Sequence, residues 1–365
     1  MKLQMNRLFA LGIKCRKRMA AVVASTLCMV LIAACGKEGS GAKVVFTTGT
    51  GKNVVFRIED ETCRKEELMV YLTNTQNQYE SVYGTEIWNT EHNGETLEEN
   101  VKDTVLAKIA QIKTMYLMAK ERGLELTEQE TERIQSAALA YFGSLNEKEI
   151  ELMEVTQETI QELYLEYAMA QKVYQQIIQD INPEISDDEA RIITVQHILI
   201  KTYNLDGNGN KMPYDQEAKA EAYEKAVGIQ EKAASGEYDF EELAAQYSED
   251  DIVTYSFGKG VMDQAFEDAA FQLATDAVSQ VVESEAGYHI IKCISTFNRE
   301  ETDSNKIKIV EQRRNSAFGQ EYDTFVAKLT KQLNESLLEE ITMIHDNQVT
   351  TSDFFEVYEQ HFSTM

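Results

Sequence analysis

The chain has 365 residues, with 35 basic and 62 acidic side chains and a net charge of −27. That length exceeds one ordinary core and implies two domains or three, and 43% hydrophobic residues exclude wholesale disorder. The acidic surplus excludes nucleic-acid binding through phosphate contacts, and only two prolines, Pro183 and Pro213, weigh against an all-β protein and for long helices.

The first 34 residues hold six basic side chains (Lys2, Arg7, Lys14, Arg16, Lys17, Arg18) and no acid. Without them the balance is 29 basic to 62 acidic, a net of −33. A basic segment ending at Arg18, an apolar run from Met19 to Ala34 and small residues before Cys35 have the order of a secretory signal. The run has 16 residues and includes Ser25 and Thr26, short of the roughly 20 that span a bilayer. Ile32-Ala33-Ala34-Cys35 resembles the bacterial lipobox, which implies that residues 1–34 are removed and that Cys35 carries the lipid. Residues 35–52, opening with Gly36–Ala42, then form a flexible tether. Beyond Cys35 the cysteines are Cys63 and Cys293, 230 residues apart, which read as unpaired thiols rather than a disulfide framework.

Val54–Ile58 reads as a short strand, and from Glu66 the pattern turns helical. Over 101–119 the residues Val101, Val105, Ile109, Ile112, Tyr116 and Ala119 recur at spacings of three and four, with Lys102, Asp103 and Lys113 facing elsewhere. Thr127 to Glu130 has the form of a capping box for the next helix. A further helix over 157–179 carries Ile160, Leu163, Tyr164, Tyr167 and Val173 on one stripe and stops at Asn182-Pro183. Ser186 to Glu189 repeats the capping pattern, and 192–200 is a buried strand rich in β-branched residues. Helices over 215–235 and 240–247 and a strand over 287–294 follow, after which the chain is charged and helical to about Leu338. A last short helix follows Ser352.

Asp206-Gly-Asn-Gly-Asn210 with Glu217 imitates a calcium loop, but its sixth position is Lys211 where a sharp turn needs glycine, so a plain turn is expected and no metal.

Six blocks occur in order: His197–Ile200, Phe240–Ala244, Tyr247–Asp250, Met262–Phe271, Val278-Ser279 and Gly287–Ile291. Together they resemble the parvulin-type peptidyl-prolyl isomerase domain. With the lipobox, the chain resembles the PrsA-type extracytoplasmic foldases, and its N-terminal part resembles the helical region of SurA-like chaperones. The resemblance implies an α+β protein in which a parvulin domain with a small, mostly antiparallel sheet (189–297) is inserted between helical segments (53–188 and 298–365). The C-terminal segment is expected to pack on the N-terminal one. It further implies that Met262 and Phe266 form a socket for the proline ring, with Phe257 as a further aromatic substrate contact. His197 and His289 become the central histidine pair, and Asp250 stands near the substrate carbonyl.

Rotation about an X–Pro bond meets a barrier of about 18–20 kcal/mol and breaks no bond, so no cofactor is implied. Two departures touch the rim: the segment 251–261 is short and lacks the family's glycine-rich stretch, and Ala286 stands where a hydroxyl is usual. The expected function is extracytoplasmic isomerisation and folding of exported polypeptides containing X–Pro bonds, at the extracytoplasmic face of the bacterial cell membrane and anchored through Cys35. The alternative is a holdase whose parvulin domain binds without catalysing. A solute-binding lipoprotein accounts for the lipobox but not for the six blocks.

Overall fold

The computed structural model describes residues 51–362 apart from 93, 182–183 and 208. The expectations for the signal, the tether, Cys35 and the Asn182-Pro183 stop lie outside the described residues. The chain divides into two units, one formed by residues up to 180 together with 315 onward, the other by 181–314.

The first unit opens with the hairpin β1 (Val54–Ile58) and β2 (Glu61–Arg64), followed by α1 (Lys65–Tyr83) and a 3-10 turn (Thr85–Asn89). A ribbon of β3 (Glu91–His92) and β4 (Glu95–Thr96) leads into α2 (Leu97–Glu121), α3 (Glu128–Ser144), α4 (Glu147–Met153) and α5 (Gln157–Ile178). Helices start here because side chains satisfy their free N–H groups: Thr96 with Glu99, Thr127 with Glu130 and Asn146 with Glu149 each close a capping box. Val101, Val105, Ile109 and Ile112 of α2 and Ile160, Leu163, Tyr164, Tyr167 and Val173 of α5 are buried, as their spacing predicts.

Lys113 departs from that pattern. It is only 1% exposed, its Nζ lying 2.8 Å from Glu67 of α1 and 2.7 Å from Glu166 of α5. The reason is tertiary: two facing carboxylates compensate an ammonium that the helical period alone assigns to solvent.

The second unit runs α6 (Asp187–Ala190), β5 (Ile193–Lys201), the hairpin β6 (Tyr203–Leu205) and β7 (Lys211–Pro213), α7 (Gln216–Ser235) and α8 (Phe240–Tyr247). It continues with β8 (Thr254–Phe257), α9 (Gln264–Gln272), β9 (Val282–Ser284), β10 (Gly287–Ser295) and α10 (Arg299–Val326), within which the division between the units falls. The sheet order is β8-β5-β10-β9, antiparallel throughout. The segment read as a shortened loop thus contains an edge strand, because Thr254 to Phe257 alternate outward and inward beside β5. In the calcium-like turn the Asp206 carboxylate accepts the backbone N–H and the side-chain amide of Asn210 at 2.8 and 2.9 Å.

Past α10 the expected helix does not reach Leu338. It ends at Val326, and β11 (Lys331–Leu333) pairs with β1, Leu333 opposite Phe56. Three residues are too few for a period-two signal, and their partner lies about 270 positions away in sequence. The chain then forms α11 (Glu335–Glu340), an irregular stretch over 341–353 and α12 (Phe354–Phe362). The fold is α+β. Among the described residues no helix is long and apolar enough to cross a membrane, and Cys63 and Cys293 are free and buried.

Candidate functional site

In β5 and β10 successive side chains point to opposite faces of the sheet. Ile198, Ile200, Tyr288 and Ile290 meet α7 and α8 through Ala222, Ala226, Ile229, Phe240 and Leu243. The other face carries Ile193, Val195 and Ile291, packed on Phe257, Phe266 and Ala270. His197 and His289 share the parity of that second face, where they meet the first turns of α9. This helix begins there because Asp263 accepts the N–H groups of Ala265 and Phe266.

The rings are joined side to side, His197 Nδ1 lying 3.2 Å from His289 Nδ1. His197 Nε2 lies 3.1 Å from the Ile252 carbonyl and 3.3 Å from Asp250 Oδ2. A carbonyl only accepts, so His197 Nε2 carries the proton and, in the neutral ring, Nδ1 is bare. His289 Nδ1–H must then donate to it, which leaves His289 Nε2 to accept from the Ser284 hydroxyl at 2.8 Å. One direction of donation therefore runs from Ser284 through both imidazoles to Ile252 and Asp250.

Both rings are held neutral. Burial lowers the pKa of His197, against the pull of the Ile252 carbonyl and Asp250. Burial and the neighbouring His197 push His289 down to about 4. Because His289 titrates lower when folded than when unfolded, its contribution to stability is present above pH 6.5 and is lost as the pH falls towards 4. At 1.36 kcal/mol per unit that amounts to about 3 kcal/mol. Urea titrations at pH 7 and pH 4.5 are expected to show a smaller loss for His289→Gln than for the parent chain. Equal losses would mean that His289 takes up its proton freely in the folded state.

Phe266 sets its ring edge-to-face against His197 and His289, at centroid separations of 5.6 and 5.0 Å, and Met262 lies half-buried beside it. Asp250 stands on the other side of His197 with its side chain 29% exposed. It accepts the Tyr255 hydroxyl at 3.1 Å and the Ile252 N–H at 3.3 Å. The structure therefore brings His197, His289, Asp250, Met262 and Phe266 together. Phe257 and Phe266 are 3% and 4% exposed in one core cluster, but Phe266 reaches the two histidines whereas the Phe257 ring lies against Phe266 and Phe271.

Sequence reasoning missed Ser284 and Tyr255. The hydroxyl sought at Ala286 stands two residues earlier, where Ser284 also accepts the Ala286 N–H at 3.0 Å. β9 is too short to carry a periodic signal, and only its pairing with β10 places Ser284 opposite Gly287 in the hairpin leading to His289. A separate surface cavity of about 290 Å³, lined by residues that include Met118, Arg122, Glu321 and Phe325, belongs to the helical unit and contains none of these side chains.

Two buried neutral imidazoles, an aromatic and a thioether beside them and a partly exposed carboxylate lie together on one face of a four-stranded antiparallel sheet, the arrangement expected of a parvulin-type domain. Residues 197–295 match the family model of the PPIC-type PPIase domain. Over its greater length the chain is similar to the foldase protein PrsA of Caldanaerobacter subterraneus subsp. tengcongensis. The two are 24% identical over 286 residues, covering 75% of this chain and 85% of that one. It is 36% identical over 138 residues to the foldase protein PrsA of Staphylococcus aureus, which spans 36% of this chain and two fifths of the relative. A solved peptidylprolyl isomerase (PrsA) from Bacillus cereus aligns with 88% of this chain and all of its own at 20% identity and a TM-score of 0.34. Residues 197–295 therefore form a PPIC-type parvulin domain, in a chain similar to the PrsA foldases.

Proposed function

We propose that this chain is a foldase that accelerates X–Pro isomerisation in exported polypeptides, with catalysis at the His197–His289–Asp250 cluster and lipid anchoring at Cys35. The uncatalysed rotation takes tens to hundreds of seconds, because the planar amide is stabilised by charge transfer from nitrogen to the carbonyl oxygen. A catalyst must favour the twisted amide, in which that polarisation is lost. Met262 and Phe266 provide an apolar seat for the pyrrolidine ring. With the ring held there, the Asp250 carboxylate, beside the peptide carbonyl, disfavours its polarised planar form and so weakens the C–N double bond. His197 and His289 take no proton in this scheme. Their directed hydrogen bonds fix Asp250 on one side and β9 on the other, a preorganised frame that needs no rearrangement during rotation.

The observation that carries the proposal is the hydrogen-bonded line from Ser284 to Asp250 past Phe266. NMR exchange spectroscopy on X–Pro peptides with residues 36–365 tests it. Asp250→Ala is expected to lower kcat/KM by roughly tenfold to a hundredfold with little change in peptide binding. Unaltered isomerisation across a broad peptide set with the parent chain would remove the enzyme claim. Suppression of aggregation that persisted without isomerisation would favour the holdase. The anchor is tested in cells, where Cys35→Ala is expected to move the chain out of the membrane fraction.

A further inference from the structure

Residues 341–353, between α11 and α12 in the helical unit, have no regular secondary structure, yet side chains of that unit hold their main chain at several positions. Gln76 of α1 reads Ile344 as a paired strand would, its amide donating to the Ile344 carbonyl at 2.8 Å and accepting the Ile344 N–H at 3.1 Å. Glu149 Oε1 accepts the N–H groups of Thr350 and Thr351 at 2.7 and 2.8 Å. Asn77 and Gln78 donate to the carbonyls of Thr351 and Ser352, and Asn146 to that of Gln348. Asn74 accepts the Phe354 N–H at 3.1 Å, where the segment enters α12.

Gln76, Asn74 and Glu149 are themselves buried, so each would lose hydrogen bonds if the segment left and nothing replaced it. Their partners are peptide groups, which every polypeptide possesses. Ile341 and Met343, then Val349 and Thr351, are buried at alternate positions, so side chains are selected only at those spacings, and the residues between them point outward or are half-buried.

We propose that this groove is a binding site for extended polypeptide and that segment 341–353 is its resident stand-in, displaced by an unfolded client. The proposal rests on the reading of the chain as a protein that acts on unfolded polypeptides. Recognition through main-chain groups suits clients of unrelated sequence. Opening the strap costs its hydrogen bonds to Gln76, Asn146 and Glu149 and the burial of Ile341, Met343 and Val349, so the client must replace them group for group. Phe354, enclosed by the rings of Tyr71, Tyr141 and Tyr164, keeps the downstream end tethered, so the strap returns when the client departs.

The test uses residues 36–365 and, as client, fluorescein-labelled ribonuclease A that has been reduced and carbamidomethylated. At saturating client the amides of Ile344, Thr350 and Thr351 are expected to exchange with deuterium at least about tenfold faster, with Phe354, β5 and β10 unchanged. Thr350→Pro, which removes one N–H from Glu149 at an exposed position, is expected to tighten client binding about fivefold, because the strap then competes less well. A client that binds while those amides stay protected, or a Thr350→Pro chain that binds no more tightly, overturns the proposal, as does absence of client binding. X–Pro isomerisation followed in the same samples separates the two readings: a static strap with intact isomerisation sinks only the strap, and loss of both sinks the foldase as well.

Discussion

Replacement of Gly287 by alanine is expected to destabilise the second unit by about 3–5 kcal/mol and to abolish isomerisation with it. Gly287 opens β10 at φ +139°, a region that side-chain-bearing residues rarely adopt. It also lies against β5 so closely that a Cβ there would stand 2.1 Å from the Ile200 carbonyl oxygen and 2.9 Å from the Lys201 Cα. Both obstacles are backbone, so no rotamer change relieves them, and the hairpin must shift. That shift moves Ser284, which pairs with Gly287 and holds His289. Thermal unfolding and amide exchange within 193–295 measure the loss. A Gly287→Ala chain with parental stability would show that the β9–β10 turn relaxes freely and that its geometry is not imposed on His289.

The second large effect lies in the helical unit. Lys113→Met is expected to cost about 3–5 kcal/mol, because it leaves the carboxylates of Glu67 and Glu166 buried without their shared cation. Arg64, 2.9 Å from Glu67, compensates one of them from the edge, and among the described residues Glu166 has no such substitute. Burial already pushes Glu166 up to about 7 in the parent chain, in spite of Lys113. A carboxylate whose folded pKa exceeds its unfolded one contributes stability fully below the unfolded value, near 4.5, and loses it as the pH rises through 7. Removing the ammonium raises the folded pKa further. The deficit of Lys113→Met should therefore be largest at pH 8 and smaller at pH 5, and adding Glu166→Gln should recover most of it. Urea titrations at the two pH values measure this; a deficit independent of pH would mean that the lost side chain counted only as packing.

The local signals were strong where one element decides its own fate. The helical periods of α2 and α5, the capping pairs Thr127–Glu130 and Ser186–Glu189, and the β-branched run of β5 all appear in the structure near the positions their spacing predicts. The six ordered blocks carried the parvulin resemblance, and the family match falls within the same stretch. His197 and His289 were visible as residues but not as a pair with a direction. That direction follows from the Ile252 carbonyl, a main-chain atom that no side-chain motif records.

The linear chain by itself determined the class of fold and the acidic character of its composition, and by resemblance it nominated the side chains to which isomerase chemistry is assigned. Tertiary structure alone decided that Lys113 is buried, that Ser284 supplies the hydroxyl missing at 286, that Phe257 sits in the core, and that residues 331–333 complete the first sheet. In each case the deciding partner lies on another element of the fold. Hydrogen bonding and charge compensation depend on distance in space, whereas periodicity records only which face of its own element a residue occupies.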